Sequence, residues 1–260
     1  MKTTMTGEYI KEMLGRGVRE DGRKFLEYRP MDLKVGIIPN AEGSAEAYLG
    51  NTRVLAGVKL VPGEPMPDKP LEGNLVTSAE LLPLASEEFD IGPPSPEAVE
   101  LARVVDRGIR AANVVDMQKL FIEEGSVWNV FIDIYILNYD GNLFDASTLA
   151  ATSALLSARM PKIEEKKVIR EGNLGKLPIT NIITSSTFGS MSEHVLLDPS
   201  GNEELFIDAR LTIANDERSV RAMQKGLSGS ITPKEVEQML EVAFEKSKAA
   251  RSMVRKAIGE

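Results

Sequence analysis

One stretch, residues 128–158, constrains the fold of this chain more than any other. Over residues 130–137, valine and isoleucine alternate with other bulky side chains, a period of two that is apolar on nearly both faces. This pattern predicts a central β-strand that is covered on both sides. A turn around Asp140 and Gly141 follows, and an Ala- and Leu-rich helix begins at about Asp145. The N-terminus of such a helix would suit an anion such as phosphate.

The composition excludes several kinds of site. The chain has 260 residues, no cysteine and a single histidine, His194. Disulfides and thiolate chemistry are therefore ruled out, and His-based metal clusters and Ser-His-Asp triads are disfavoured. We assign the chain no cofactor and no metal ligand.

Charge and hydropathy limit the partners. No apolar run approaches the roughly 20 residues that span a bilayer, and the N-terminus lacks the apolar core of a signal peptide. We therefore expect a cytoplasmic protein with no membrane partner. The formal net charge is −8, which argues against indiscriminate binding of nucleic acid. RNA or phosphate would have to bind at a local basic patch.

The order of the elements predicts an α+β protein with two halves, each a small sheet backed by helices. We expect an N-terminal helix and extension at residues 1–28, a first half at 29–162 and a second half at 163–260. A charged link over residues 161–176 joins the halves. The predicted helices cover residues 6–14 (with Thr6 as N-cap), 96–112, 145–158 and a last helix from residue 233. The predicted strands cover residues 32–38, 43–58 (a hairpin turning at 50–52), 73–83, 128–138, 179–185, 194–198, 203–214 and 219–223.

The helix predicted over residues 96–112 carries a basic face. Ser95 can cap it and Pro96 suits its first position. Arg103, Arg107 and Arg110 follow at i, i+4 and i+7, which places them within about 60° on one side. The opposite side is apolar and consists of Leu101, Val105, Ile109 and Ala112. A solvated charged surface is the ordinary interpretation, but this face is uniformly basic in an acidic protein.

Several motifs resemble the ribonuclease PH family over nearly the whole chain. They are the Arg-x-Asp-Gly-Arg turn at residues 19–23, the Gly-Asn-Thr hairpin at 50–52, the arginine helix at 100–111, and the strand at 133–135 followed by Asp140-Gly141. The segments ELLPLAS, GPPSPEAVELARVVDRGIR, LNYDGNLFDAS and AMQKGLSGSITPKEV most resemble the non-catalytic branch of the family in the archaeal exosome. The resemblance implies a ribonuclease PH fold, related to the second domain of ribosomal protein S5, with two β-α-β-α-type halves.

The resemblance also implies a chemistry that this chain lacks. Active members shorten RNA from its 3′ end by attack of inorganic phosphate, which a Gly-Gly-Thr-Arg or Gly-Ser-Arg turn holds through a hydroxyl and a guanidinium group. Here Leu143 and Phe144 stand at those positions, and Asp145 would repel an anion. Loss of one such donor typically costs about 10²–10³ in rate. We assign no catalytic residue and predict that the chain does not catalyse phosphorolysis.

Two further charged segments belong to family motifs. The acidic catalytic segment of active members maps onto Asp198, Glu203, Glu204 and Asp208, but it departs from their pattern, and we interpret these carboxylates as turn and sheet-edge acids. The turn at residues 17–23 is either a solvated loop or a functional part of the family motif.

In the family the arginine helix faces the RNA path near a subunit interface. The resemblance therefore implies that Arg103, Arg107 and Arg110 bind RNA phosphates for an active site completed by a catalytic ribonuclease-PH-type partner subunit. It also implies a hexameric ring of three heterodimers, RNA-binding cap proteins and single-stranded RNA as partners. Two alternatives are an active phosphate-dependent 3′-to-5′ exoribonuclease, which the turn at residues 140–145 disfavours, and a nucleotide-binding enzyme or kinase of the S5-like superfold, which would need a Gly-rich phosphate loop.

Overall fold

The computed structural model describes residues 7–164, 167–170, 175–192 and 194–259. The described residues form two principal sheets, of six and four strands, and two small two-stranded sheets. In chain order the elements are α1 (Gly7–Gly15), β1 (Met31–Val35), β2 (Gly43–Leu49), β3 (Thr52–Gly63), β4 (Asn74–Leu81), α2 (Pro96–Ala111), a 3₁₀ turn (Met117–Leu120), β5 (Phe121–Glu123), β6 (Ser126–Asn138), α3 (Leu143–Ser157), β7 (Arg159–Met160), β8 (Lys162–Glu164), β9 (Lys167–Ile169), β10 (Gly175–Lys176), β11 (Thr184–Met191), β12 (His194–Leu197), α4 (Gly201–Glu204), β13 (Ala209–Asn215), β14 (Val220–Gly226) and α5 (Pro233–Ile258).

The predicted central strand is β6. It lies between β3, which is antiparallel to it, and β4, which is parallel to it. The chain connection from β4 to β6 contains α2. Its valine and isoleucine side chains are fully buried in one core with α2 and α3. The prediction that both faces are covered is wrong, because Phe131, Asp133, Tyr135 and Leu137 on the other face are only half-buried. Three of these four side chains are apolar or aromatic, which makes the sequence pattern look two-sided.

Helix α3 lies between the two principal sheets. It contacts β2 and β3 of the first sheet and β11 of the second. Every side chain from Phe144 to Leu155 is buried. A helix that is buried all round needs small residues where neighbours approach closely, and alanine and serine supply them here. The predicted close packing is confirmed.

The second sheet has the strand order β12-β11-β13-β14, and all its pairs are antiparallel. Helix α5 packs on it and begins with the predicted Thr232–Glu235 capping box. Helix α1 packs on the same half, where Ile10 and Leu14 contact Met191. The predicted cap Thr6 lies outside the described residues.

The strands predicted at 32–38, 179–185 and 203–214 differ from those observed, and each difference has a local cause. Strand β1 ends at Val35 because Gly36 adopts a left-handed conformation. The strand expected at 179–185 is β11, which begins at Thr184 and is rich in serine and threonine. The strand expected at 203–214 begins only at Ala209, because Ser200 and Glu203 form a capping box that starts α4.

The link over residues 161–176 lies partly outside the described residues. The part that the structure describes pairs β8 with β9 and β7 with β10. The boundary between residues 162 and 163 falls inside β8 and stays a prediction. In the described ranges, no helix combines the length and the apolar character that crossing a membrane requires.

Candidate functional site

Helix α2 presents the basic face that its sequence predicts. The Ser95 side chain accepts a hydrogen bond from the backbone N–H of Ala98 at 3.2 Å, which fixes the start of the helix. The three arginine side chains, Arg103, Arg107 and Arg110, are exposed, whereas the apolar side of the helix is buried. Sequence reasoning therefore placed all three arginines correctly on one exposed face.

The three arginines differ in what they contact. Arg110 donates from Nε to the carboxylate of Asp106 at 2.6 Å and also to the backbone carbonyl of Leu75. Arg107 donates to the amide oxygen of Gln224 at 2.7 Å. Within the part of the chain that the structure describes, Arg103 makes no hydrogen bond or ion pair. The guanidinium of Arg110 is thus held by the protein, whereas that of Arg103 has no partner among the described residues.

A groove of about 490 Å³ runs beside this face. Arg103 and Arg107 both line it, and Arg110 does not. We call it the α2 groove, and its lining residues are Pro94, Pro96, Val99, Glu100, Arg103, Val104, Arg107 and Gln224.

The turn that precedes α3 packs directly on the turn that precedes α4. Gly141 has a φ of +84°, and a Cβ there would lie 2.5 Å from the backbone carbon of Ser200, so that only glycine fits. The backbone N–H of Gly201 donates to the carbonyl of Asp140 at 3.0 Å. Asn142, with a φ of +53°, caps α3 by accepting from the N–H of Asp145.

The carboxyl group of Glu204 occupies the start of α3. One of its oxygens accepts from the backbone N–H of Asn142 at 2.8 Å, and the other accepts from the hydroxyl of Tyr139 at 2.7 Å. Burial raises the pKa of Glu204, and these two hydrogen bonds offset part of that rise. A donor that would face an incoming anion at a helix N-terminus is therefore already bound by an acidic group of the chain itself.

We call the space in front of this group the α3 cleft. It has a volume of about 770 Å³, and Tyr139, Leu143, Phe144, Glu204 and Arg210 are among its lining residues. The guanidinium of Arg210 lies over the Phe144 ring at 4.3 Å and pairs with Glu100 at 2.7 Å. The one arginine among these five residues is thus held by groups of the protein.

The structure corrects the position of Asp145. Its carboxylate does not line the α3 cleft but is buried behind it, where Thr187 donates from both its backbone N–H and its hydroxyl, and Tyr28 donates from its hydroxyl. Burial raises the pKa of Asp145. This carboxyl group therefore joins α3 to the second sheet and does not meet an anion directly.

The interpretation of the acidic segment as turn and sheet-edge acids is wrong for Asp198 and Glu203. Asp198 is fully buried and forms an ion pair with Arg29 at 2.7 Å. Its carboxylate also accepts from Arg23 at 3.0 Å and from the Asn142 amide at 2.8 Å. Asp208 is exposed, as the interpretation expects.

Glu203 forms the second buried ion pair. Arg19 donates to both of its carboxylate oxygens, at 2.9 and 2.5 Å, and both side chains are almost fully buried. The turn at residues 17–23 is therefore a solvated loop only in part, because Arg19 is buried and Arg23 is half-buried while its other five residues are exposed. The Ser-x-x-Glu spacing of Ser200 and Glu203 signals a helix start, but no local signal pairs Arg19 with a residue 184 positions away.

Comparison with known proteins agrees with this fold. Residues 27–161 match domain 1 of the 3′ exoribonuclease family, and residues 181–246 match its domain 2. The chain belongs to the ribonuclease PH family. The resemblance found in the sequence is thereby confirmed.

Two similar curated proteins are each named Exosome complex component Rrp42. The protein from Thermococcus kodakarensis is 44% identical over 258 residues, covering 97% of this chain and 95% of its own. The protein from Thermococcus gammatolerans is 43% identical over 256 residues, covering 96% of this chain and 94% of its own.

Solved structures confirm the ribonuclease PH fold. A chain of the Archaeoglobus fulgidus exosome with RNA bound to the active site superposes with a TM-score of 0.89 at 42% identity, over 95% of this chain and 96% of that one. Rrp46 from rice superposes with a TM-score of 0.72 at 16% identity, over 92% of this chain and all of that one, and shows the fold alone.

Proposed function

We propose that this protein is a non-catalytic subunit of an archaeal exosome, a complex that degrades RNA from its 3′ end by phosphorolysis. In this role it shapes the active site of a catalytic partner subunit and helps to bind RNA. The two curated relatives are named as exosome components, and each matches this chain over nearly its whole length. Both facts support the assignment to this complex.

The proposal that this subunit is non-catalytic rests on the groups that line the α3 cleft. Phosphorolysis needs inorganic phosphate held in line with the scissile bond, with its charge neutralised. At the start of α3 the Glu204 carboxyl group takes the Asn142 N–H, and the apolar side chains of Leu143 and Phe144 line the cleft. A carboxyl group and two apolar side chains leave an attacking phosphate without a site.

The RNA-binding part rests on the α2 groove. Arg103 and Arg107 line it, and their guanidinium groups can form charge-assisted hydrogen bonds with phosphodiester oxygens. Such contacts position a strand and carry no base specificity. Arg110 contributes less in this proposal, because Asp106 already pairs with it.

The proposed partners follow from the relatives' role. We propose a hexameric ring of three heterodimers, in which this chain alternates with a catalytic ribonuclease-PH-type subunit. RNA-binding cap proteins would bind to the ring, and single-stranded RNA would be the substrate of the assembly. The cytoplasmic location stays a prediction.

A direct assay separates this proposal from an active exoribonuclease. The purified chain, the catalytic ribonuclease-PH-type subunit of an archaeal exosome, and the two co-expressed are each incubated with 5′-labelled RNA, with and without inorganic phosphate. We expect no phosphate-dependent shortening by this chain alone, and shortening by the assembled pair. Phosphate-dependent shortening by this chain alone would show that the α3 cleft is catalytic and would refute the proposal.

A further inference from the structure

A second basic pocket lies beside the C-terminal half of α5, remote in sequence from α2. Its volume is about 450 Å³. Four of its six lining residues are cationic and one is acidic, in a chain whose net charge is −8. We call it the α5 pocket, and its lining residues are Glu217, Lys248, Arg251, Ser252, Arg255 and Lys256.

Arg251 sets this pocket apart from an ordinary solvated helix face. Only 4% of it is exposed, although it lines the pocket. A guanidinium group has five N–H donors, but among the described residues Arg251 makes one hydrogen bond, of 3.4 Å, to the hydroxyl of Thr184. Burial lowers the pKa of Arg251.

The nearest carboxylates are engaged with other groups. Asp216 accepts from Arg221 at 2.6 Å and from the Asn181 amide at 2.8 Å. Glu217 pairs with Arg255 at the rim of the pocket. The positive charge of Arg251 therefore has no full partner among the described residues, and buried charges are normally paired.

The usual explanation for cations at this end of a helix does not cover Arg251. Lysine and arginine in the last turn interact favourably with the helix dipole, and this accounts for Arg255 and Lys256. Arg251 lies a turn earlier, and its side chain is buried rather than extended into solvent. A ligand in the pocket would accept hydrogen bonds from its spare donors.

We propose that the α5 pocket binds a phosphate group, with Arg251 as the buried ligand and Lys248, Ser252 and Lys256 around it. A planar guanidinium fork matches phosphate oxygens, and the flanking ammonium and hydroxyl groups supply further donors. The same chemistry recognises a free phosphate or nucleotide and a phosphodiester of RNA. The proposal stands on these residues alone and does not depend on the proposed exosome role.

The test is a titration of the isotope-labelled full chain, followed by the amide resonances of residues 248–256. Inorganic phosphate and adenosine diphosphate are the small-molecule probes. We expect saturable shifts that weaken about tenfold or more in Arg251→Gln, because a charge-assisted bond is removed. The variant Lys248→Gln with Lys256→Gln removes only exposed rim charges and should weaken the same shifts even if Arg251→Gln does not fold. Lys11→Gln with Lys234→Gln, which removes the same charge elsewhere, should leave them unchanged.

A short single-stranded RNA supplies the second arm, titrated into the Arg103→Ala, Arg107→Ala variant so that α2 does not contribute. Shifts at residues 248–256 with the small anions identify free phosphate or nucleotide as the ligand, and shifts with RNA alone identify its backbone. Either result supports the proposal. The proposal fails if none of the three probes shifts these amides, or if the rim variant and the control respond alike. It also fails if these amides respond only to a partner subunit, because acidic side chains of that partner would then cover Arg251.

Discussion

The α2 groove and the α3 cleft adjoin at Glu100, which lines both, yet they differ in how their charged groups are paired. In the groove, Arg103 has no partner among the described residues and Arg107 has only the neutral amide of Gln224. In the cleft, Arg210 pairs with Glu100 and stacks on Phe144, and Glu204 takes the N–H of Asn142. This difference supports the proposal that the α2 groove is open to RNA phosphates and the α3 cleft is closed to inorganic phosphate.

The largest expected effect distinguishes structural from functional charges. Asp198→Asn keeps the size of the side chain and tolerates the φ of +53°, but it removes the fully buried carboxylate that pairs with both Arg29 and Arg23. Only the more exposed Asp140 and Asp21 then remain as their acidic partners. Breaking a buried pair typically costs about 3–5 kcal/mol of unfolding free energy. Arg103→Ala should change the free energy of unfolding by no more than about 0.5 kcal/mol, because that side chain is exposed and makes no ion pair among the described residues.

Urea denaturation of the two variants beside the parent chain measures this contrast. Equal losses in both would mean that the α2 arginines also hold the fold together, and the distinction between the two regions would disappear.

The next effect is on RNA binding. Replacing Arg103 and Arg107 with alanine should lower the slope of log affinity against log salt by about 0.7 for each phosphate of single-stranded RNA that the variant no longer neutralises. Arg110→Ala should lower it less, because Asp106 already holds that guanidinium. Binding isotherms at several salt concentrations give the slopes. An unchanged slope in the double variant would show that the face is only solvated surface.

The smallest effect is a pH dependence at the α3 cleft. Burial raises the pKa of Glu204 above its ordinary value of 4.5, although hydrogen bonds to Asn142 and Tyr139 offset part of the rise. As pH rises from that value through the raised pKa, the unfolded chain ionises first, so the parent chain loses stability. Glu204→Gln cannot ionise and should gain stability relative to the parent over this range.

Denaturation midpoints of both chains at a series of pH values follow this difference, with exposed Glu241→Gln as a control for net charge. A stability difference that falls as pH rises would mean that the folded protein favours the ionised carboxylate of Glu204, against the stated cause.

The sequence predicts those parts of the fold that depend on neighbours along the chain. Helix α2 has a local cap at Ser95 and a clear helical period, and both were confirmed. Strand β11 begins at Thr184, five residues after the predicted start. Its serines and threonines show no local strand pattern, and pairing with β12 and β13 defines the strand. Helix α3 begins at Leu143, two residues before the prediction, because Asn142 adopts a left-handed cap.

The residues of the candidate sites also differ in whether neighbours along the chain are enough to place them. Arg103 and Arg107 could be placed on one face from helical spacing alone. Leu143 and Phe144 predict the loss of an anion site, but Glu204, whose carboxyl group accepts from the N–H of Asn142, lies 62 residues from Asn142. Only the packing of the turn before α4 on the turn before α3 brings them together. A contact between two distant turns leaves no pattern in either one.

The most direct test of the central claim is a phosphate titration of the labelled 28.4 kDa chain, read at the backbone amides of Gly141, Asn142 and Leu143. If the Glu204 carboxyl group closes the start of α3, these three amides should show no saturable shift up to millimolar phosphate, whatever the α5 pocket binds. A saturable shift of the three amides with a dissociation constant of about 1 mM or below, corresponding to roughly −4 kcal/mol, would mean that the start of α3 still binds phosphate. It would contradict the account.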